Sequence, residues 1–405
     1  MDRLFIQAKP IIERLKAAGY EAYYVGGAVR DYILKREIDD VDIATSATPL
    51  EIKSVFSNTV DVGIEHGTIL VIHERRGYEV TTFRAETNYV DYRRPESVTF
   101  IRSLKDDLRR RDFTINAIAM DEEGVMIDPF NGREAIKKKC IKTVGSPTER
   151  FGEDALRLMR AVRFVSQLGF KLDNRTEEAL IQQAPLLQYI AIERIFLEME
   201  KLLKGKHVKR ALKIARKAKL NDYWPSIFNQ EQTIEQIINM PIEGLDLMEL
   251  WLLALYLEKA KEPQKQLKKW KMPTKDMKTL LRALTFLNWR KDNNWTNIQL
   301  YRAGKEIAVM VEKIVCVLHH EKPQAITVKI YEKFAEFPIT ERSQLAITGT
   351  DVLEWTRKTP GPWISQLFTQ LEEEILNKKI PNEREMIRRW VEKWGNPSSD
   401  KCSKH

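Results

Sequence analysis

The sequence predicts an α+β protein, a mixed α/β head followed by a long all-helical extension. Two observations carry this. Short β-branched runs set off by turn residues occur only before about residue 139. Beyond it, apolar residues recur at spacings of three and four, the mark of one buried helix face.

The elements follow in order. Residues 10–18 read as a helix, and Tyr23-Tyr24-Val25 as a short strand. Gly26-Gly27 makes a turn, and residues 28–35 have helical spacing. Residues 41–44 form a second strand. Thr48-Pro49 is an N-cap followed by proline at the first helical position. Residues 68–72 and 78–83 form a hairpin across the turn residues 74–77. Residues 98–101 read as another strand. Residues 113–120 are apolar, a buried helix-like segment beside a cluster of arginines. Ile127-Asp128-Pro129-Phe130-Asn131-Gly132 ends the head with a strand end and a turn. Helices are expected over 153–168, 177–182, 193–203 and 208–220, then throughout, broken near Pro225, Pro241, Pro273, Pro323, Pro338, Pro360 and Pro381. No fixed-period repeat and no low-complexity stretch interrupts them.

The 405 residues suit two to four packed units. A hydrophobic share of 43% with 31% charged residues excludes disorder as the overall state. The net charge of +9 is compatible with a polyanionic partner. Cys140, Cys316 and Cys402 encode neither a disulfide framework nor a zinc ribbon. The N-terminus has no apolar signal region, and the longest apolar run, residues 250–257, falls far short of the roughly 20 needed to cross a bilayer. A reduced, soluble, cytoplasmic protein without a membrane partner is expected. None of the six histidines has metal-ligand spacing, and His319-His320 reads as a helix end. The tryptophans beyond residue 350 read as packing for the last helices.

Gly26-Gly27-Ala28-Val29-Arg30-Asp31 follows a strand and opens a helix. Such a turn lets backbone N–H groups approach a phosphate, and Arg30 is placed to pair with a phosphate oxygen. Alone, it reads first as a plain tight turn. Asp39-Asp40-Val41-Asp42-Ile43 comes next. The strand period of two puts Asp40 and Asp42 on one face, where their repulsion favours a cation such as Mg²⁺. A solvated acidic turn is the other reading. Together the turn, the helix and the pair describe a metal–nucleotide site, with Glu79 on a later strand as a third carboxylate.

This pattern resembles the nucleotidyltransferase superfamily of DNA polymerase β. The resemblance implies two-metal nucleotidyl transfer without a protein nucleophile.

Arg109-Arg110-Arg111-Asp112-Phe113-Thr114-Ile115-Asn116 sets charges against an apolar segment. Arg111 reads as a phosphate or sugar contact, Asp112 as a sugar contact or an orienting carboxylate, with Asn116 one turn on. In the helix expected over 153–168, Ala155, Leu158, Met159, Val162 and Val165 form the apolar stripe. Asp154 and Arg157 sit one turn apart on the other side, continued by Arg160 and Arg163. They read either as a surface ion pair, worth about 0.3–0.5 kcal/mol, or as a base reader. An acceptor beside a donor complements the amino group and ring nitrogen of cytosine and adenine. It mismatches uracil and guanine, whose groups would be left unpaired.

The strings GGAVRD, DDVDIAT, RRDFTINAIA, DPFNGREAI, EDALRLMRAVRF and ERIFLEMEKLL, in this order across residues 26–203, are similar to those of the bacterial class II CCA-adding enzymes, the tRNA nucleotidyltransferase / poly(A) polymerase family. Ile347-Thr348-Gly349-Thr350-Asp351-Val352 and Gly361-Pro362-Trp363 extend the likeness toward the end of the chain. The resemblance implies a polymerase-β-like nucleotidyltransferase head (1–138), then an all-helical neck (139–205, nucleotide selection), body (206–310) and tail (311–405), the last two contacting tRNA. It implies addition of C, C and A to the tRNA 3′ end from CTP and ATP. Asp40 and Asp42 would hold Mg²⁺, with Glu79 as the further catalytic carboxylate. Gly27, Arg30 and Arg111 would hold the triphosphate, Asp154 and Arg157 would read the base, and Asp112, Arg160 and Arg163 would complete the pocket. Glu193-Arg194 would give structural support. Residues 84–95 match the family's flexible loop, which favours full CCA addition over CC-only addition. A homodimer is implied, and the His-Asp pair of an attached phosphohydrolase domain is absent from the sequence. The alternatives are a poly(A) polymerase, a CC-only or A-only enzyme, and a non-catalytic tRNA-binding protein.

Residues 201–220 hold nine Lys or Arg and no acidic residue. Val208, Leu212, Ala215 and Lys219 follow helical spacing, so one face can pack while the other stays positive. Such a run reads as a solvated face or, with an RNA partner, as a phosphate track. Lys206, Lys209, Arg210, Lys213, Arg216 and Lys217 are the RNA-contact candidates. Residues 259–278 form a second basic stretch interrupted by Glu262 and Asp276.

Overall fold

A computed structural model describes residues 1–90, 94–323 and 326–395. The chain divides into two compact units. Residues 1–238 with 268–271 form the first, and residues 239–267 with those from 272 onward form the second.

The first unit opens with α1 (Arg3–Ala17), β1 (Ala22–Val25), α2 (Gly27–Ile33), β2 (Asp42–Thr45), α3 (Pro49–Val55) and β3 (Thr59–Gly63). Then come β4 (Thr68–His73), β5 (Arg76–Thr82), β6 (Arg84–Val90), β7 (Arg94–Phe100), α4 (Leu104–Arg109), β8 (Ala119–Met120), β9 (Met126–Ile127), α5 (Gly132–Lys137) and β10 (Cys140–Ile141). Helices α6 (Pro147–Glu153) and α7 (Leu156–Leu168), the strand β11 (Lys171–Leu172), and α8 (Asn174–Gln183), α9 (Ile192–Leu203), α10 (Val208–Lys217) and α11 (Glu231–Asn239, whose last residue falls in the second unit) complete it. Seven strands make one sheet in the order β3-β4-β5-β2-β1-β8-β9. All its pairs are antiparallel except β2 with β5.

The α+β expectation holds, and most head elements fall where the sequence put them. Thr48 caps α3 in a reciprocal capping box with Glu51, and Pro49 follows. The β4–β5 hairpin turns on Glu74 and Arg75, both at positive φ (47° and 64°), the twist that suits a two-residue turn. Helix α1 starts seven residues earlier than expected, capped by Asp2, and carries Pro10 in its interior. Phe5, Ala8, Ile11, Ile12 and Leu15 share one buried stripe across the proline, and packing of that stripe outweighs one lost N–H.

Three departures matter for function. Residues 113–120 are not helix-like. They form a 3₁₀ turn, Thr114–Asn116, and then β8. The backbone is drawn off by Lys142, whose carbonyl accepts from Thr114 N at 2.9 Å. Residues 84–95, read as a loop, lie largely in the antiparallel hairpin β6–β7, with 91–93 outside the described residues. The helix expected over 153–168 begins only at Leu156 as α7, and Glu153 ends the separate helix α6, because Asp154 between them adopts an extended backbone (φ −136°, ψ 105°).

The second unit is helical: α12 (Leu247–Leu257), α13 (Pro263–Lys269, whose last two residues fall in the first unit), α14 (Thr274–Arg290), α15 (Asn297–Ala303), α16 (Lys305–Leu318), α17 (Ile326–Ala335), α18 (Gly349–Thr356), α19 (Trp363–Leu376) and α20 (Arg384–Gly395). His319 and His320 do end a helix, with His320 at φ 59°. Trp355, Trp363, Trp390 and Trp394 pack half-buried against a core of Val352, Leu367, Leu371 and Ile387. Among the described residues, no helix is long and apolar enough to cross a membrane.

Candidate active site

A cavity of about 700 Å³ in the first unit gathers most of the residues singled out above. Gly26, Gly27, Arg30, Asp42, Arg111, Asp112, Asp154, Arg157, Arg160 and Arg163 all line it, with Arg84, Arg110, Asn116, Arg194 and Lys201 among the others. Asp40 and Glu79 are not on its wall.

One end is built by β1, β2 and the turn into α2. Gly26 sits at φ 74°, where a side chain is strained. A Cβ there would lie 3.1 Å from Arg111 Nη1 and 3.7 Å from an Asp42 oxygen. The glycine therefore lets a cation and a carboxylate close on the turn. Val41 and Ile43 are buried while Asp40 and Asp42 are exposed, so the two carboxylates do share a face. Asp40 lies just before β2 rather than in it. Val80 on β5 is in register with Ile43, which sets Glu79 alongside Asp42. Protein crowds Asp42 although solvent still reaches it. That burial, with Asp40 and Glu79 adding their charge against Arg111, pushes its pKa up to about 6. Among the described residues, no three His, Cys, Asp or Glu side chains converge closely enough to hold an ion by themselves.

Arginines and their partners build the rest. Arg30 donates to Asp31 at 2.6 Å and to Asn116 Oδ1 at 2.7 Å. Asp112 is 7% exposed. It accepts from Phe113 N at 2.8 Å, Asn116 Nδ2 at 3.2 Å and Arg160 Nε at 2.6 Å. Burial opposes its charge, but Arg160, Arg157 and Asn116 prevail and hold its pKa down to about 2. Its oxygens are thus engaged by neighbouring protein groups. Arg163 lies 3.2 Å from Glu198, and burial with Arg160 nearby brings its pKa down to about 10.

Asp154 and Arg157, read as either a helix-surface pair or a base reader, are each held by other partners. Asp154 sits in the break between α6 and α7, where Oδ1 accepts from Leu156 N at 3.0 Å and Oδ2 from Arg194 Nη2 at 2.8 Å. Arg157, 7% exposed, instead donates to Glu153, to Arg150 O at 2.9 Å and to Arg110 O at 3.1 Å. Acceptor and donor still face one cavity, each fixed from behind. Arg194, read as general support, has the specific task of clamping Asp154. Asp107, Glu153 and Glu198 were not singled out, since each reads as a solvated helix acid. Buried arginines nearby are the signal that marks them.

The basic run is a helix with Val208, Leu212 and Ala215 buried as spaced, but Lys219 leaves it at φ 56°. Lys206 and Lys213 are exposed. Arg216 pairs with Glu235 at 3.0 Å, Lys217 with Glu177 at 2.6 Å, and Arg210 donates to Gly169 O at 2.7 Å. Carboxylates from other helices therefore neutralise part of the positive face.

Residues 22–142 match the model of the Poly A polymerase head domain. Residues 169–230 match a probable RNA- and SrmB-binding site of polymerase A, and 248–391 a putative tRNA nucleotidyltransferase domain 2. A CCA-adding enzyme of Geobacillus stearothermophilus is 46% identical over 96% of this chain and 96% of its own length. The chain belongs to the CCA-adding enzymes. The crystal structure of a Bacillus stearothermophilus CCA-adding enzyme in complex with CTP superposes with a TM-score of 0.87 at 43% identity, covering 98% of this chain and 99% of that one. A tRNA nucleotidyltransferase complexed with a primer tRNA and an incoming ATP analog aligns at 25% identity and a TM-score of 0.61, over 80% of this chain and 98% of that one. This CCA-adding enzyme is thus a nucleotidyltransferase of tRNA processing.

Proposed function

We propose that this CCA-adding enzyme adds C, C and then A from CTP and ATP, using the one cavity for every addition. The observation that carries this is the cavity's order: a glycine turn and the Asp42 carboxylate at one end, an acceptor and a donor in fixed positions at the other. Arg30 and Arg111 take the triphosphate beside Gly27. Arg111 Nε and Arg194 Nη1 are buried without a hydrogen-bond acceptor among the described residues, which suits an anionic ligand. Asp154 accepts from the exocyclic amino group of cytosine or adenine, and Arg157 donates to the adjacent ring acceptor. Asp112 and Arg160 hold the wall between the two ends.

Asp40 and Asp42 fit a hard divalent cation such as Mg²⁺. Burial, with the charges of Asp40 and Glu79, raises the pKa of Asp42, and oxygen atoms from triphosphate and water would complete the shell. When bound, the ion lowers the pKa of the attacking tRNA hydroxyl and neutralises the leaving pyrophosphate. Glu79 flanks Asp42 on the side away from the glycine turn.

The tRNA runs along the positive face of α10, with Lys206, Lys209, Arg210 and Lys213 toward phosphate. Arg216 and Lys217 contribute less, because glutamates already hold them. Head, neck, body and tail divide as the resemblance implies, and a homodimer in the cytoplasm completes the reading. Sedimentation at working concentration tests the dimer.

The deciding experiment uses a tRNA lacking its 3′ CCA, with Mg²⁺ and each nucleotide alone and in pairs, products sized on a sequencing gel. Two residues from CTP alone and three from CTP with ATP are expected. A long ladder from ATP alone would make it a poly(A) polymerase, and two residues under every condition a CC-adding enzyme. Asp40→Ala with Asp42→Ala should abolish addition and leave tRNA binding intact.

A further inference from the structure

Asp107 lies on α4 and is 0% exposed, while its neighbour Asp106 keeps 44% of its side chain in solvent. Carboxylates are almost never buried completely without cationic partners. Asp107 has two. Its Oδ1 accepts from Arg110 Nε at 2.9 Å, and its Oδ2 from Arg111 Nη2 at 3.5 Å. Oδ1 also accepts from the backbone N–H of Arg84 at 3.3 Å, at the root of the β6–β7 hairpin. The carbonyl of Arg110 in turn accepts from Arg157 Nη2 at 3.1 Å. All four arginines line the cavity, and Asp107 does not.

The arrangement has one physical consequence. Arg110 and Arg111 are adjacent cations that repel each other, and burial alone works against the charge on Arg111. The negative charge of Asp107 keeps both in place. Arg111 sits under the glycine turn, and Arg110 tethers the donor at the base-reading end. One buried carboxylate therefore lies behind both ends of the pocket.

We propose that Asp107 is a positioning residue that holds Arg111 for the triphosphate and, through Arg110, Arg157 for the base. The proposal rests on the reading of the cavity as the CTP and ATP pocket.

Asp107→Asn keeps the size and an acceptor for the Arg84 N–H but removes the charge. KM and kcat for CTP and ATP are measured on tRNA lacking all or part of CCA, with inhibition by tripolyphosphate, which has no base. Loss of one charge-assisted anchor predicts a KM for CTP and ATP raised in parallel by about tenfold. Tripolyphosphate should weaken by the same factor, the preference for CTP over UTP should fall, and tRNA affinity should hold. Asp107→Glu should recover part of each loss. Unchanged KM and unchanged tripolyphosphate inhibition would overturn the proposal, as would a fall in kcat alone in step with lost folded protein. If the asparagine variant does not fold, Asp107→Glu decides. Raised KM at near-normal Tm supports positioning, and normal KM refutes it. Failure of tripolyphosphate to compete with CTP in the unaltered enzyme would instead sink the pocket reading beneath it.

Discussion

Asp112→Asn preserves shape and removes one charge from the centre of the cavity wall. In the folded chain the carboxyl titrates at about 2 rather than its ordinary 3.8, with Arg160 as the main partner against burial. A depressed pKa means that the charged form is favoured by folding. Its contribution is fully present above about pH 4 and is lost as pH falls through 2. That drop in pKa is equivalent to roughly 2–3 kcal/mol at pH 7, of which about half remains at pH 3. Urea unfolding of both proteins, at pH 7 and pH 3, measures the gap directly. Asparagine also loosens Asn116, which holds Arg30 at 2.7 Å, so C addition should slow as well. A gap that stays the same from pH 7 to pH 3, or that never exceeds about 0.5 kcal/mol, would refute the idea that the Asp112 charge organises this wall.

Arg194→Gln frees Asp154, and the loss of one charge-assisted bond should cut the preference for CTP over UTP by about tenfold or more; equal fidelity in competition assays would remove Arg194 from selection. Glu198→Gln leaves the buried Arg163 without its counter-charge, which should cost about 3–5 kcal/mol in urea unfolding. Gly132→Ala places a Cβ 2.2 Å from Thr114 O and 2.7 Å from Ile118, and a backbone oxygen cannot step aside. A Tm lowered by several degrees is expected, with C addition reduced because the Thr114–Asn116 turn shifts; an unchanged Tm would contradict the close approach.

How much of this was legible depends on the residue. The glycine turn, the Asp40–Asp42 pair and the N-cap of Thr48 could be read because their geometry is local: a strand period, a turn and a cap. The buried stripe of α7 was legible for the same reason. The helix break at Asp154 was not, because an unbroken apolar spacing runs across it. What ends α6 there is a carboxylate engaged by Arg194, 40 residues on. The β6–β7 hairpin lacked the apolar alternation that marks a strand, so it passed for a loop. Asp107 and Glu198 look like any solvated helix acid, and only the fold brings arginines against them.

That last failure points to how the pocket works. Its wall carries eight arginines and one lysine against three aspartates, a charge excess that would spread the side chains if nothing lay behind them. Behind most of them lies a carboxylate: Asp31 for Arg30, Asp107 for Arg110 and Arg111, Glu153 for Arg157, and Glu198 for Arg163. A template made of side chains discriminates only if its donors and acceptors cannot rearrange to suit the wrong base. Nucleic-acid templates gain that fixity from stacking, whereas in the proposed pocket it would come from ion pairs closed on the side away from the nucleotide. Selectivity should therefore be as sensitive to these outer carboxylates as to the groups that touch the base.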